Sequence, residues 1–296
     1  MLNVEVALNS TLNIQHSTFN IPVVLRTAAT ATTVTIIVIA ALYAFAAYVR
    51  RSSMFFPEKY PTGMWESEAQ FHLRDVWFMA RDGVRLHGWL FSSEVANARL
   101  IIWFHGNAGN ITERSQVAEE LRRRGIDVLL FDWRGYGKSE GDPTESKLYL
   151  DSEAAYDYAA QELHANPESI VLYGESLGGA YAAWLATQRK IRSVIIENSF
   201  PSLRELGNAL YAPIPLGYFA PCSMMTTRWL NKAGAPVLVM HGRRDQVIPF
   251  TLGMRLYDGL RVPKQLLVSE SAGHSEIAFA EGARYYETVT AFVKGL

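Results

Sequence analysis

The sequence predicts an α/β fold: a mostly parallel sheet flanked by helices on both faces, with a short apolar cap insertion and one transmembrane helix ahead of it. Three observations carry that reading. From Phe71 onward, short runs rich in β-branched and aromatic residues alternate with longer helical patterns. Six of those runs (RLIIWFHG, IDVLLFDW, SIVLYGES, RSVIIENS, PVLVMHG and KQLLVSE) hold several consecutive apolar residues, as strands buried on both faces require. Residues 27–48 form an uncharged run bounded by Arg26 on one side and by Arg50 and Arg51 on the other.

The elements follow in chain order. Residues 1–26 read as a polar tail that carries a glycosylation sequon, Asn9-Ser10-Thr11. Thr27 to Tyr48 is the membrane segment. Its 22 residues span about 33 Å as a helix, against a hydrocarbon core of roughly 30 Å. A cleaved signal peptide is the alternative, opposed by the long polar stretch in front and the absence of a basic opening region. One cation precedes the run (Arg26) and three follow (Arg50, Arg51, Lys59), which places the large C-terminal part in the cytoplasm by the positive-inside tendency. Residues 49–70 read as a linker or pre-domain, and 71–296 as one α/β domain. FHLRDVWFMA and LHGWLF, separated by Arg81-Asp82-Gly83, form a hairpin leading into the sheet. Helices over Ile111–Arg124, Ser146–Leu163, Leu177–Arg189, Thr251–Leu260 and Ser275–Val293 supply the crossovers. Residues 201–230 break the alternation, with Pro201, Pro213, Pro215 and Pro221 set among Leu206, Leu210, Tyr211 and Ile214. This stretch reads as a cap over the C-terminal edge of the sheet, or as core padding residue by residue.

Composition bounds the function. Of 296 residues 49% are hydrophobic and 19% charged, enough apolar material for a full core, which excludes disorder and a disulfide scaffold. Lys plus Arg number 28 against 29 acids, so the basic footprint of a nucleic-acid binder is missing and no such partner is expected. The single cysteine, Cys222, admits neither an internal disulfide nor a cysteine-based zinc site, and it reads as packed in the cap. No metal or cofactor is expected. Metal-binding spacings are lacking, Gly137-Lys138-Ser139 has Asp132 where a phosphate loop needs glycine, and no G-x-G-x-x-G opens a helix.

G-x-S-x-G occurs twice, around Ser176 and around Ser139. A nucleophile elbow needs a strand that stops abruptly into a helix, with flanking glycines to relieve crowding. Ser176 has that context, between SIVLYG and AYAAWLATQR, whereas Ser139 runs into Glu140, Gly141, Asp142 and Pro143, a polar turn. Ser176 is the candidate nucleophile. A serine hydroxyl needs a base, and the base an acid to fix its tautomer; on such an elbow the chain order is nucleophile, acid, histidine. Only His241 and His274 follow Ser176. His274 lies in a glycine-containing loop after the last strand and is the candidate base; His241, at a strand end, reads as packing. Asp245 lies in the loop after the preceding strand and is the candidate acid, with Glu197 as the alternative. The backbone N–H groups of Leu177 and Asn107 are the candidate oxyanion donors. His105 reads as orienting the Asn107 loop.

HGNAGN, FDWRGYGKSEG, GESLGG, HGRRDQVIP and AGH, in this order and spacing, resemble the α/β-hydrolase superfamily over about Phe55 to Leu296. MFFPEKYPTGMW and the leading anchor narrow the resemblance to membrane-anchored ABHD-type serine hydrolases and their bacterial relatives. The resemblance implies the α/β-hydrolase fold, the triad Ser176, Asp245 and His274, the oxyanion positions Asn107 and Leu177, and structural roles for Asp132 and Arg134. It implies esterase or thioesterase activity on lipids or acylated proteins, with some bacterial relatives labelled peptidases. The expectation is a membrane-anchored serine hydrolase acting on an acyl ester or lipid, or on an acylated protein. A peptidase or amidase of the same fold, and a non-catalytic membrane-bound binding protein, are the alternatives.

Overall fold

The structure, a computed structural model, describes residues 21–71, 73–219 and 223–295. The sequon at Asn9 and the cysteine Cys222 lie outside the described residues. By contacts the chain divides into two units, 1–44 and 45–296.

Helix α1 (Ile21–Ser53) contains the apolar run. Its segment Leu25–Tyr48 has a mean hydropathy of 2.0 and is long and apolar enough to cross a membrane. The threonines of that run do not leave polar groups idle. Thr30, Thr32, Thr33 and Thr35 each donate to the carbonyl four residues back at 2.9 Å, which satisfies the hydroxyl within the helix itself.

The stretch expected as a linker or pre-domain packs against the domain. Met54 is buried, β1 (Phe56–Pro57) pairs with β5 (Ala108–Gly109), and α2 (Ser67–Gln70) packs beside the first long strands. Strand β1 and its partner β5 are each only two residues long, so neither shows as a strand in the sequence pattern.

The hairpin is β2 (Leu73–Met79) and β3 (Arg85–Phe91). The remaining strands of the main sheet are β4 (Arg99–Phe104), β6 (Ile126–Phe131), β7 (Ile170–Glu175), β8 (Ser193–Glu197), β9 (Val237–Gly242) and β10 (Lys264–Ser269). Their order is β10-β9-β8-β7-β4-β6-β3-β2, parallel from β10 to β6 and antiparallel over the last two pairings. The central strands are buried at every position or nearly so. Strand β10 is the exception: it forms the sheet edge, and Gln265 and Leu266 are exposed while Leu267 and Ser269 are buried, so the expectation of burial on both faces fails there.

Alternation across the pleat builds two cores. One face sets Ile102, Phe104, Leu172 and Ile196 against α4 (Glu145–Gln161), α5 (Leu177–Ala186) and α8 (Phe250–Gly259). The other sets Ile101, Trp103, Val171 and Leu238 against α3 (Ser115–Arg123) and the C-terminal helices. Each such fully buried side chain contributes about 1.5–3 kcal/mol by leaving water. The last predicted helix is two: α9 (Ile277–Glu281) and α10 (Ala283–Lys294) meet at Gly282, whose φ of 51° no regular helix accepts. In the cap, α6 (Leu203–Leu210) and α7 (Thr226–Ala233) flank a short 3₁₀ turn at Leu216–Phe219.

This topology fixes the location of the site. The chain leaves β4 toward β6 on one side and returns through β7 on the other, so the loops after β4 and β7 face each other at the switch point. The loops after β8, β9 and β10 open at the same end of the parallel sheet.

Candidate active site

Ser176 stands between β7 and α5 with φ 53° and ψ −119°, a strained conformation for a residue with a side chain. The neighbouring glycines are what permit it. A Cβ on Gly178 would lie 2.0 Å from the Phe104 carbonyl oxygen, and one on Gly174 would lie 2.4 Å from the Gly179 Cα. The Ser176 N–H donates to the Glu197 carbonyl at 2.8 Å, and its carbonyl accepts from Ser199 Oγ at 2.7 Å. The elbow is thereby fastened to the end of β8 at both of its backbone polar groups.

His274 Nε2 lies 2.9 Å from Ser176 Oγ, and His274 Nδ1 lies 2.8 Å from Asp245 Oδ2. Both distances are hydrogen-bond lengths. The buried Asp245 accepts the Val247 and Ile248 N–H groups through Oδ1, each at 2.8 Å. One carboxylate oxygen is therefore occupied by backbone, which leaves the other to the imidazole and fixes the proton on Nδ1. Nε2 is then the acceptor that faces the serine.

Asn107 and Leu177 line the same cavity as Ser176. The Asn107 carbonyl accepts from Phe56 N–H at 2.8 Å and from Tyr136 Oη at 2.7 Å, while its Nδ2 donates to the Met54 carbonyl at 3.0 Å. These bonds hold the Asn107 loop and tie the segment after α1 to it. His105 is fully buried between Trp133 and Tyr136, and burial pushes its pKa down to about 3, so the ring is neutral. It orients the loop by packing and through its carbonyl, which accepts from Trp133 Nε1 at 3.0 Å.

The competing residues are used elsewhere. Ser139 Oγ accepts the His87 N–H at 2.9 Å and donates to the Asp132 carbonyl at 2.8 Å, a buried bridge between turns. His241 Nε2 bonds the Ile248 carbonyl at 3.0 Å, which braces the Asp245 loop. Asp132 accepts Ile111 N–H at 3.0 Å, and Arg134 forks onto Asp82 and Asp151, so both are structural. Glu197, the alternative acid, hydrogen-bonds Tyr173 Oη rather than a histidine. Burial, aided by the negative Glu175 nearby, raises its pKa to about 8.

That raised value has a stability consequence. Unfolded, the carboxyl ionises near 4.5; folded, it keeps its proton up to about 8, so the native state binds the extra proton between those values. Its contribution is complete below the lower pKa and is lost as pH rises through the upper one. Glu197→Gln is expected to flatten this fall, seen as a smaller drop in Tm than the wild type between about pH 5 and pH 8. Equal slopes for the two proteins would remove Glu197 as the source.

Sequence reasoning missed three supporting residues. Arg114 forks onto Glu175 at 2.8 and 3.0 Å, tying the helical turn after the Asn107 loop to the residue before Ser176. Burial alone would raise the Glu175 pKa, but the Arg114 charge outweighs it and holds it at about 2. Asn198 links two loops: its Nδ2 donates to the His274 carbonyl, and its Oδ1 accepts Gly242 N–H at 2.9 Å. Its φ is 46°, a region that asparagine enters more readily than most residues. Ser199 is the third, through its bond to the elbow.

The cavity in front of Ser176 measures about 280 Å³. Its walls include Met54, Phe56, Phe200, Leu206, Leu216 and Ile248, and no charged side chain among the described residues. Among the described residues one group of histidine and carboxylates converges elsewhere, Glu68, Asp75 and His87. Lys138 reaches both acids, so its ammonium supplies the positive charge there.

A family model described as the alpha/beta hydrolase fold matches residues 99–215. An uncharacterised protein of Mycobacterium tuberculosis is 34% identical over 221 residues, covering 74% of this chain and 79% of that one. The chain belongs to the α/β-hydrolase superfamily. Escherichia coli YfhR, at 33% identity over 229 residues, covers the same shares of the two chains. Among solved structures, an esterase of Pyrococcus furiosus superposes on this α/β hydrolase with a TM-score of 0.65, at 21% identity over 82% of this chain and 98% of that one. That likeness bears on the fold.

Proposed function

We propose that the protein is a membrane-anchored serine hydrolase that cleaves carboxylic esters or thioesters of lipids or acylated substrates through an acyl-enzyme on Ser176. The observation that carries the reading is the continuous Ser176–His274–Asp245 hydrogen-bond chain opening into a cavity whose described walls carry no charge. An uncharged apolar cavity suits an acyl chain better than a peptide, whose backbone needs polar partners. The esterase among the structural neighbours accords with ester cleavage. The apolar helix serves as the anchor, with the α/β domain, residues 71–296, in the cytoplasm according to the flanking cations Arg26, Arg50, Arg51 and Lys59.

In the first half-reaction Ser176 Oγ bonds to the acyl carbon while His274 Nε2 takes the hydroxyl proton and Asp245 steadies the imidazolium. The oxygen that gains the electron pair is held by the Leu177 and Asn107 N–H groups. Collapse breaks the bond to the alcohol or thiol, which leaves with the proton from His274. Water, deprotonated by the same Nε2, then attacks the acyl carbon and frees the acid and Ser176.

The test is labelling of the full chain with a fluorophosphonate, mapping of the modified residue, and comparison of an oxygen ester, a thioester and an amide of one acyl chain. A tag on Ser176 with ester or thioester turnover supports the reading, and turnover of the amide alone overturns it.

Asn198 should influence the same chemistry at a distance. Asn198→Ala removes the bond to the His274 carbonyl and is expected to lower kcat about 10- to 100-fold with little change in KM, because a small displacement of the base costs rate rather than ground-state binding. An unchanged kcat in a folded variant would show that the His274 loop holds itself.

A further inference from the structure

The cap has an inward and an outward side. Leu216 and Gly217 line the cavity, whereas their neighbours Ile214 and Tyr218 point outward and are 51% and 61% exposed. Phe56, Leu210 and Val247 belong to both surfaces: they line the cavity and are each half exposed, so they form its rim. The outward side is built rather than loose. Asn208 Oδ1 accepts Gly217 N–H at 2.9 Å, a Cβ on Gly217 would lie 2.0 Å from the Arg204 carbonyl oxygen, and the Arg204 guanidinium covers the Tyr218 ring at 5.4 Å. A fixed apolar rim around a cavity mouth is the kind of exposed patch that marks a docking surface.

Chain length names the occupant. The apolar span ends at Tyr48, and Met54, six residues later, lines the cavity. Six residues cover roughly 20 Å at full extension, so an anchor in a bilayer keeps the cavity within that distance of its surface. A second copy of the chain on this face would seal the mouth, whereas a bilayer leaves it open to acyl chains. We infer that the rim and the outward side of the cap, with Ile214 and Tyr218 at its centre, dock on the lipid bilayer, so that an acyl lipid passes from membrane to cavity without crossing water. The inference rests on the proposed hydrolase reading for its substrate and on the apolar anchor for its geometry. Tyr218 and Tyr211 suit such a place, since amphipathic rings collect at membrane interfaces.

The test uses the full chain carrying Cys222→Ser, with a fluorophore on a single cysteine introduced by Ile214→Cys, in phosphatidylcholine vesicles that contain nitroxide-labelled phosphatidylcholine. A matching label at Lys190→Cys, at the opposite end of the strands, is the reference. The label at 214 is expected to be quenched about twofold or more and the label at 190 to be unaffected. Equal quenching at the two positions, or a label at 214 shielded by a second copy of the chain, overturns the proposal. In a second arm, the double variant I214E/Y218E is expected to hydrolyse a vesicle-embedded monoacyl lipid about tenfold more slowly or worse while leaving turnover of a soluble acetyl ester unchanged. Equal rates with wild type on both substrates also overturn it. If the wild type hydrolyses no ester at all, the hydrolase reading fails while the quenching still reports on docking.

Discussion

Ser176→Ala is expected to abolish fluorophosphonate labelling and lower ester hydrolysis by about ten-thousandfold or more, with the fold retained. The magnitude follows from how the site is wired. His274 Nε2 has its 2.9 Å partner in Ser176 Oγ, and no other hydroxyl is bonded to that nitrogen among the described contacts. Removing Oγ therefore removes the nucleophile without offering a substitute, and residual catalysis would come from the oxyanion donors and binding alone. The backbone bonds that hold the elbow, Ser176 N–H to Glu197 and Ser199 Oγ to the Ser176 carbonyl, do not involve the deleted atom. Ser139→Ala is the informative control. It should keep the activity and lose about 1–3 kcal/mol of stability, because it leaves the buried His87 N–H without its acceptor. If Ser139→Ala silenced the protein and Ser176→Ala did not, the assignment of the two G-x-S-x-G sequences would be reversed.

The contrast between those serines shows what the sequence exposes and what it conceals. Strand, elbow and helix around Ser176 are contiguous, so one stretch of chain carries the whole geometric requirement. Asp245 and His274 were legible for a related reason: each lies just past the end of a consecutive apolar run, and the ends of parallel strands converge. The bracing was not legible. Asn198 joins the His274 loop to Gly242, 44 residues away in the chain, and Arg114 reaches Glu175 across 61. Neither residue carries local information about its partner, and a buried arginine is indistinguishable in sequence from a solvated one. The contacts of the linker or pre-domain were hidden for the same reason. Met54 and Phe56 serve the site through bonds to Asn107, about fifty residues on, with no periodic pattern of their own. The edge strand β10 was overread because an apolar run shows that a strand exists without showing how many neighbours it has.

Asp245→Asn is the sharper test of mechanism, because its size and its form are both fixed by hydrogen bonding. Oδ1 of Asp245 sits opposite two donors, the Val247 and Ile248 N–H groups, each at 2.8 Å. In the variant the amide oxygen must take that position, since an NH₂ there would face two N–H groups and leave all of them unsatisfied. The amide nitrogen then faces His274 Nδ1 as a donor. Nδ1 has to accept, the imidazole proton moves to Nε2, and the nitrogen facing Ser176 can no longer take a proton. The expected result is a loss of about ten-thousandfold in kcat at neutral pH with KM and Tm close to wild type. Asp245→Ala lacks the oppositely directed donor, so the imidazole can still reach the productive tautomer, and it should lose less activity and more stability. If the asparagine and alanine variants lost the same activity, Asp245 would act through its charge and packing and not through the tautomer, and the hydrogen-bond account of the base would have to be abandoned.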